Sequence, residues 1–364
     1  MYTYVPRWLL FLLALLFAPA ISAQQPSHSA QPGDDTINLN VVVTHKSGPP
    51  VTGLQQRDFT LLDNNVPQTI TSFRAINGRK SPIQVIILID ALNAPYRIVS
   101  YERGQIDKVL RADGGDLAYP TELAVLTDTG LQTAKDFSTD GNALSAALDQ
   151  YSVALRSIVR SSGFYGAAER FQLSLEGLHK LVQRESSRPG RRIVLCISPG
   201  WPVLSGPEVE LSSSERQQLF ADIVDFSADF GRNNITLYSI NPWGPGEPLG
   251  RKLRWESFGK GISKPSQVNA GDLALQVLAT QSGGLALNSN DVAAELQHAL
   301  VDVSAYYEIS FSPSTDNRPD EYHRLQVRIA KPGLTARTRQ GYYSGAKGRG
   351  KLKVPTPIES GDSR

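Results

Sequence analysis

Apolar and polar positions follow two different periods along the chain and divide it into three parts. In residues 36–76, and again in 304–345, apolar and polar residues alternate in short runs separated by turn-forming residues. Such alternation predicts short antiparallel strands with one buried face. Between them, residues 82–303 contain continuous apolar runs that alternate with helical stretches. The pattern therefore predicts an α/β domain that two β segments flank in sequence.

The central part predicts a doubly wound, mostly parallel sheet covered by helices, because buried parallel strands are apolar on both faces. Its strands are predicted at 83–90, 122–128, 191–198, 235–241 and 284–288, with a short edge strand at 131–137. Its helices are predicted at 97–112, 140–153, 164–184, 212–232, 269–281 and 290–303. Each terminal β segment alone has too few strands to bury a face. We therefore expect the two segments to pair into one small antiparallel β domain.

The first residues have the pattern of an export signal. Arg7 precedes the short apolar run WLLFLLALLF, and small residues offer cleavage after Ala20 or Ala23. The run is too short for a comfortable membrane span, and no Cys follows it to carry a lipid. We expect residues 1–23 to be a signal peptide, 24–35 a polar linker, and the mature protein to be secreted or periplasmic without a transmembrane helix.

Charge adds one local feature. The formal net charge of +2 is too small to indicate a nucleic-acid partner. From Arg324 to Lys353, however, there are nine basic residues and no acidic one. This run is either a solvated strand face followed by a basic, disordered tail at 346–364, or a contact with an anionic envelope polymer or lipid headgroups.

The candidate site lies where the predicted strands end. The stretch IQVIILIDALNAP carries a buried strand directly into Asp90, and open α/β sheets bind ligands at the carboxyl ends of their strands. A carboxylate there can hold a metal, take part in acid–base chemistry, or cap its own loop. The other candidate binding residues of this edge are Asn93, Asp128, Ser198, Trp201 and Trp243. The two Trp residues either form an apolar contact surface or pin their Pro-flanked loops.

The usual enzyme motifs are absent from the sequence. Its five His residues show neither HxxxH nor HxH spacing, and there is no GxSxG elbow. Ser198 is followed by Pro199, which has no backbone N–H to offer an oxyanion. The strand that ends at Asp90 leads into DALNAPY rather than a glycine-rich phosphate loop, and Cys196 lies within an apolar strand. We therefore expect no catalytic residues.

Several stretches together resemble the VWFA-related domain proteins. They are NLNVVVTHKSGPPVTGLQQRDFTLLDNNVPQTITSF, the strand that ends at Asp90, LATQSGGLALNSNDVAAELQHALVDVSAYYEISFSP and HRLQVRIAKPGLTARTRQGYYS, in this order. The resemblance covers roughly residues 37–344. It implies a von Willebrand factor type A (Rossmann-like) fold in a secreted interaction module, with no general catalytic activity.

The resemblance also implies a comparison with the metal-ion-dependent adhesion site of type A domains, whose first loop reads DxSxS. Here Asp90 matches, but Leu92 and Ala94 stand at the serine positions. Phe164 or Tyr165 stands near the threonine position of the second loop, and Ser198 at the aspartate position of the third. Mg²⁺ prefers six oxygen ligands, so a single matching carboxylate implies a degenerate site without a functional metal.

These observations lead to two functional hypotheses. The first is a non-catalytic adhesion or scaffold module that binds another envelope or extracellular protein without a cofactor. The second is an adhesion or enzyme-like site that uses Asp90 and Asp128 to hold Mg²⁺ or Mn²⁺. Under either hypothesis the partner's identity stays open.

Overall fold

The computed structural model describes residues 36–346, apart from 47, 79–81, 135, 155–162, 203–209, 245–254 and 314–317. The expected signal peptide (1–23), the linker (24–35) and all but the first residue of the expected tail lie outside the described residues. The residues described belong to one compact unit, which begins at Asp35.

The strands are short at both ends of the chain and longer in the middle. They are β1 (Ile37–Thr44), β2 (Phe59–Asp63), β3 (Val66–Gln68), β4 (Ser72–Asn77), β5 (Ile83–Asp90), β6 (Asp116–Thr127), β7 (Gly130–Thr133), β8 (Ser138–Asp140), β9 (Arg191–Ile197), β10 (Ile235–Ile240), β11 (Ala286–Leu287), β12 (Ala305–Phe311), β13 (Tyr322–Ile329), β14 (Thr335–Arg337) and β15 (Gly341–Tyr343).

The helices all fall between β5 and β12. They are α1 (Tyr96–Leu110), α2 (Gly141–Ala154), α3 (Gly163–Glu185), α4 (Ser213–Arg232), α5 (Leu275–Gln281) and α6 (Val292–Asp302). Short 3-10 turns lie at Gln56–Asp58, Ala112–Gly115, Trp255–Phe258, Pro265–Gln267 and Ala270–Leu273. Each predicted helix of the central part is present, and its ends differ from the prediction by a few residues except where α5 is shortened.

The central sheet has the predicted doubly wound form. Its strand order is β11-β10-β9-β5-β6-β7, and all pairs are parallel except β6–β7 and β6–β8 at one edge, where β8 also pairs with β6. Counted along the domain, this is the order 3-2-1-4-5-6 of nucleotide-binding folds, here with an antiparallel edge strand. From β5 the chain adds strands towards one edge of the sheet, and from β9 it adds them towards the other, so the switch point lies between these two strands. This doubly wound form is the one that the resemblance to von Willebrand factor type A domains implies.

The two terminal segments pair with each other, as predicted. β12 lies between β1 and β4, and β13 lies between β2 and β15, all antiparallel. The two resulting four-stranded sheets share a core of apolar side chains that includes Val41, Phe59, Ile309 and Val327. Neither segment could bury a face alone, so the pairing of the chain's two ends creates this β sandwich.

The sandwich packs directly against the α/β domain. Val42 of β1 and Tyr306 of β12 belong to the core that covers one face of the central sheet. The Arg191 guanidinium at the start of β9 stacks over the Tyr306 ring at 4.3 Å. These contacts join the sandwich to the amino-terminal ends of the parallel strands, which leaves their carboxyl ends, where Asp90 lies, on the opposite edge.

Candidate functional site

The site begins with the register of the two strands at the switch point. Ile89 of β5 pairs with Ile197 of β9, so Asp90 and Ser198 follow at the same level of the sheet. Parallel strands end at a common edge, and adjacent strands lie about 4.8 Å apart. Both side chains are fully buried at this edge. The predicted meeting of Asp90 and Ser198 is therefore present, but it lies inside the protein rather than on an open rim.

The Asp90 carboxylate is saturated by its neighbours. Oδ1 accepts hydrogen bonds from the Asn93 backbone N–H at 3.0 Å and from Asn93 Nδ2 at 3.1 Å. Oδ2 accepts from Asn93 Nδ2 at 2.8 Å and from Ser198 Oγ at 2.6 Å. A carboxylate offers about four lone-pair positions, and these four bonds fill them. Asp90 therefore caps its own loop, which is the structural alternative that the sequence left open.

The bonding continues from Asn93 into helix α3. Asn93 Nδ2 also donates to Ser174 Oγ at 2.9 Å, and Ser174 Oγ donates to the Arg170 carbonyl at 2.7 Å. On the other side, Ser198 Oγ accepts from the Gly200 N–H at 3.1 Å. We call Asp90, Asn93, Ser174 and Ser198 the closed cluster. It ties the ends of β5 and β9 to α3.

These residues do not fit a type A metal site. The amide group of Asn93 points its N–H bonds at both carboxylate oxygens, and an N–H donor cannot coordinate a cation. Leu92 and Ala94, at the two serine positions of the first loop, are buried apolar side chains. Within the described ranges, no three His, Cys, Asp or Glu side chains come together as a candidate metal cluster. A cation at Asp90 would have to displace the closed cluster.

Asp128 and Trp243 lie at the same edge but outside the closed cluster. Asp128 is partly exposed in the tight turn between β6 and β7, where Thr127 Oγ1 donates to the Gly130 carbonyl at 3.1 Å. Trp243 is half-buried in the turn after β10, and its backbone N–H donates to Asn241 Oδ1 at 3.1 Å. The Arg97 guanidinium of α1 lies 5.8 Å from the Trp243 ring, a cation–π contact.

Trp201 corrects one expectation for this edge. Only 7% of the residue is exposed, and it packs in the core that includes Leu88, Phe171 and Leu275. A side chain that is already packed on all sides has no surface left for a partner. Trp201 therefore pins its loop, whereas Trp243 keeps an exposed part. For the same reason Asp90, Asn93 and Ser198 do not reach a partner directly.

Two buried residues of this region were missed from the sequence. Ser174 lies within a predicted helix and was not considered as a site residue. The comparison with the second loop of type A sites instead indicated Phe164 or Tyr165. Glu102 of α1 is fully buried, and neither of its carboxyl oxygens has a hydrogen-bond partner among the described residues. Burial and the nearby Asp90 carboxylate raise the pKa of Glu102 well above its ordinary value. The sequence could have predicted the burial of Glu102, because it lies on the same helix face as the apolar residues Val99, Ile106 and Val109.

The basic run at 324–353 does not form one continuous face. Of its described members, Arg324 and Arg328 are exposed and Lys331 lies 3.6 Å from Asp58. Arg337 instead bonds to Asp302, and Arg339 lines a cavity between the sandwich and the α/β domain. The interpretation as a uniformly solvated strand face is therefore wrong for these two residues, because the chain after β14 crosses the ends of α4 and α5. The four basic residues from 347 onward lie outside the described residues.

No family model matches this sequence, and no curated protein matches it. Solved structures match weakly. Human COPII-coat protein Sec24c is 8% identical, with 72% of this chain and 43% of that chain covered and a TM-score of 0.34. The SpRpn10 VWA domain is 13% identical, with 60% and 95% covered and a TM-score of 0.30. Manganese-loaded Plasmodium vivax TRAP protein is 8% identical, with 75% and 98% covered and a TM-score of 0.31.

Similarities this weak carry no argument about function. The chain also spans less than half the length of the Sec24c structure and 61% of the PilB minor pilin from Streptococcus sanguinis, another match. None of the helices that the structure describes combines the length and apolar character needed to cross a bilayer. The strand order around the switch point identifies the central domain as a doubly wound α/β fold, which is the form that the resemblance to von Willebrand factor type A domains implies.

Proposed function

We propose that this protein is an exported, non-catalytic module that binds another envelope or extracellular protein without a divalent cation. The observation that carries the proposal is the closed cluster. In a metal-dependent adhesion site, a partner's carboxylate completes the coordination of a bound cation. Here the Asp90 carboxylate has its bonding positions filled by Asn93 and Ser198. Binding through a shared metal ion is therefore disfavoured at this edge.

An aromatic surface beside the closed cluster supports the proposal. Tyr96 and Tyr101 of α1 are 49% and 41% exposed, and Tyr101 donates a hydrogen bond to the Asn290 carbonyl in the loop after β11. Arg97 lies over the half-buried Trp243. We call Tyr96, Arg97, Tyr101 and Trp243 the α1 edge. Tyr, Trp and Arg are the side chains that most often carry binding energy at protein interfaces.

Three of the described His residues, His179, His298 and His323, have contacts that favour a structural role over catalysis. His323 Nδ1 lies 2.9 Å from Asp63, which also accepts a bond from Tyr342, all inside the β sandwich. His179 Nε2 lies 2.8 Å from Gln183 on the same helix, and His298 lies beside Glu295 on α6. None of these pairs opens onto the α1 edge or includes a Ser or Cys nucleophile.

The export part of the proposal rests on the sequence pattern of residues 1–23.

The test is capture of envelope proteins on the immobilised chain, followed by affinity measurement with the partner so identified. We expect unchanged affinity in EDTA and at least tenfold weaker binding for Trp243→Ala, because truncating a hot-spot residue costs roughly 2 kcal/mol or more. Val66→Ala is the matched control, since Val66 is 59% exposed on β3 of the sandwich, away from the α1 edge. Binding that is lost in EDTA would restore the metal-dependent hypothesis.

A further inference from the structure

A cavity on the opposite side of the molecule contains a guanidinium without a counterion. The cavity lies between the start of β10, the ends of α4 and α5, the strand β1 and the residues after β14. Among the described residues that line it, Arg339 alone is charged. No ion pair joins Arg339 to any described carboxylate, and its Nε is buried without a hydrogen-bond partner. Arg339 Nη1 lies close to Gly231 of α4, in the space that a β-carbon would take at that position.

The rest of the described cavity wall is neutral and combines polar groups with the apolar residues Phe230, Ile235 and Leu278. Thr338 Oγ1 is buried and, like Arg339 Nε, has no partner among the described residues. The other polar lining residues are Asn38, Asn40, Ser227, Asn234, Thr236, Gln281 and Ser282. The guanidinium of Arg191 adds a second positive charge behind the wall, because its Nη2 donates to Thr236 Oγ1 at 3.3 Å. The described lining residues therefore offer hydrogen-bond donors and two nearby positive charges but no acidic group.

Leaving a charged group buried and unpaired costs several kcal/mol. Burial lowers the pKa of Arg339 to about 10, which still leaves the guanidinium protonated at neutral pH. Arg339 as a whole is half-buried, but its Nε is fully buried without a partner, and an anion in the cavity would supply that partner. The arrangement of a guanidinium and a hydroxyl donor around one space matches the two oxygens of a carboxylate, which Arg binds in a bidentate manner.

Cavity size limits the ligand. The cavity measures about 30 Å³. A single water needs roughly 10–15 Å³ on the same measure, so the space fits a group of a few heavy atoms and excludes a sugar or a nucleotide. We propose that this cavity is a carboxylate-binding site in which Arg339 and Thr338 hold the anion between the β sandwich and the α/β domain. The carboxylate belongs either to a free small acid or to a chain that presents its terminus at the cavity mouth.

The test is thermal unfolding of the full purified chain in formate or acetate, against chloride at equal ionic strength. We expect a saturable rise in the midpoint, about 3–6 °C once the anion is near a hundredfold above its dissociation constant. Arg339→Gln should abolish the rise, and Arg328→Gln should keep it, because Arg328 is exposed on β13. An Arg339→Gln protein whose rise equals that of the wild type overturns the proposal.

A second arm separates the two sources of the carboxylate. Short peptides with a free carboxyl terminus are compared with the same peptides in amidated form. A rise with formate or acetate indicates a free acid, and a rise only with the free-terminus peptide indicates a presented chain end. The absence of both overturns the proposal. If Arg339→Gln does not fold, Thr338→Val takes its place, since it removes a hydroxyl donor and keeps the shape; an unreduced rise in that variant contradicts the site.

Discussion

At the scale of single residues, burial decides which polar side chains are available for function. Asp90 and Ser198 were expected at the end of the sheet and are found there, yet neither has exposed surface. The sequence specified the strand ends through their apolar runs. It could not specify that Asn93 would turn its amide onto Asp90, because that depends on the loop conformation and on Ser174 from a distant helix.

Replacing Glu102 by Gln should stabilise the protein increasingly as pH rises. The pKa of Glu102 is raised in the folded state, so its contribution to stability is complete below the unfolded pKa, about 4.3, and is lost as pH rises through the folded value. Gln has the shape of the protonated acid and does not titrate. Urea unfolding from about pH 5 to 8 should show a free-energy difference between variant and wild type that grows with pH.

The control for this prediction is Glu256→Gln, because Glu256 is exposed. Its free-energy difference from wild type should stay flat over the same range. A flat difference for Glu102→Gln as well would show that Glu102 is charged and solvated in the folded protein.

Replacing Trp201 by Ala should lower the free energy of unfolding by about 3–5 kcal/mol, the usual cost of truncating a large core side chain. Trp243→Ala should cost less than half of that, since Trp243 is only half-buried. Denaturant unfolding of both variants checks the ranking. Equal costs, or a larger cost for Trp243, would contradict the assignment of Trp201 to the core and Trp243 to the α1 edge.

At the scale of elements, the predicted bounds of strands and helices agree closely with the structure where the periodic pattern of apolar residues extends over many residues. α4 was predicted at 212–232 and runs from Ser213 to Arg232, since SSSE supplies a capping box and Asn233 ends the helix. The predicted helix at 269–281 is instead divided. Asp272 Oδ2 accepts the Asn269 N–H at 2.7 Å and closes a separate turn, and Ala274 is extended. Such a local side-chain bond competes with helix formation. The prediction missed it because the spacing of apolar residues is the same with or without the bond.

The cap of α4 can be tested alone. Ser212 Oγ accepts the Glu215 N–H at 3.2 Å, and Glu215 Oε2 accepts the Ser212 N–H at 2.7 Å. Ser212→Ala should lower the free energy of unfolding by about 1 kcal/mol, because it leaves a helix N–H without its partner. Ser213→Ala is the matched control, since it removes a neighbouring exposed hydroxyl inside the helix. Equal effects of the two changes in urea unfolding would argue against the capping role.

At the scale of the whole molecule, the two ends of the chain complete one body. Pairing of 36–76 with 304–345 was predictable, because each segment alone lacks enough strands to bury a face. The directions of the Arg337 and Arg339 side chains were not predictable, because they depend on how the last strands cross the ends of α4 and α5. Arg337 reaches the Gly283 carbonyl and Asp302, which also accepts the Tyr238 hydroxyl. These bonds join the sandwich to the α/β domain.

Arg337→Ala should therefore destabilise the whole protein rather than the sandwich alone. Removing one partner leaves Asp302 buried without its counterion, and we expect a loss of about 2–3 kcal/mol. Unfolding followed by Trp fluorescence and by far-ultraviolet circular dichroism should remain a single coincident transition at a lower midpoint. Two separate transitions would show that the sandwich unfolds independently.

The central claim is that the carboxyl edge of the sheet is closed around Asp90 and binds no divalent cation. The most direct measurement is the thermal unfolding midpoint of the purified chain in EDTA, and then in excess Mg²⁺ and in excess Mn²⁺ at constant ionic strength. A ligand that binds the folded state raises the midpoint in proportion to the logarithm of its concentration. The closed cluster predicts the same midpoint in all three conditions. A midpoint that rises with Mg²⁺ or Mn²⁺ and loses that rise in Asp90→Ala would contradict the account.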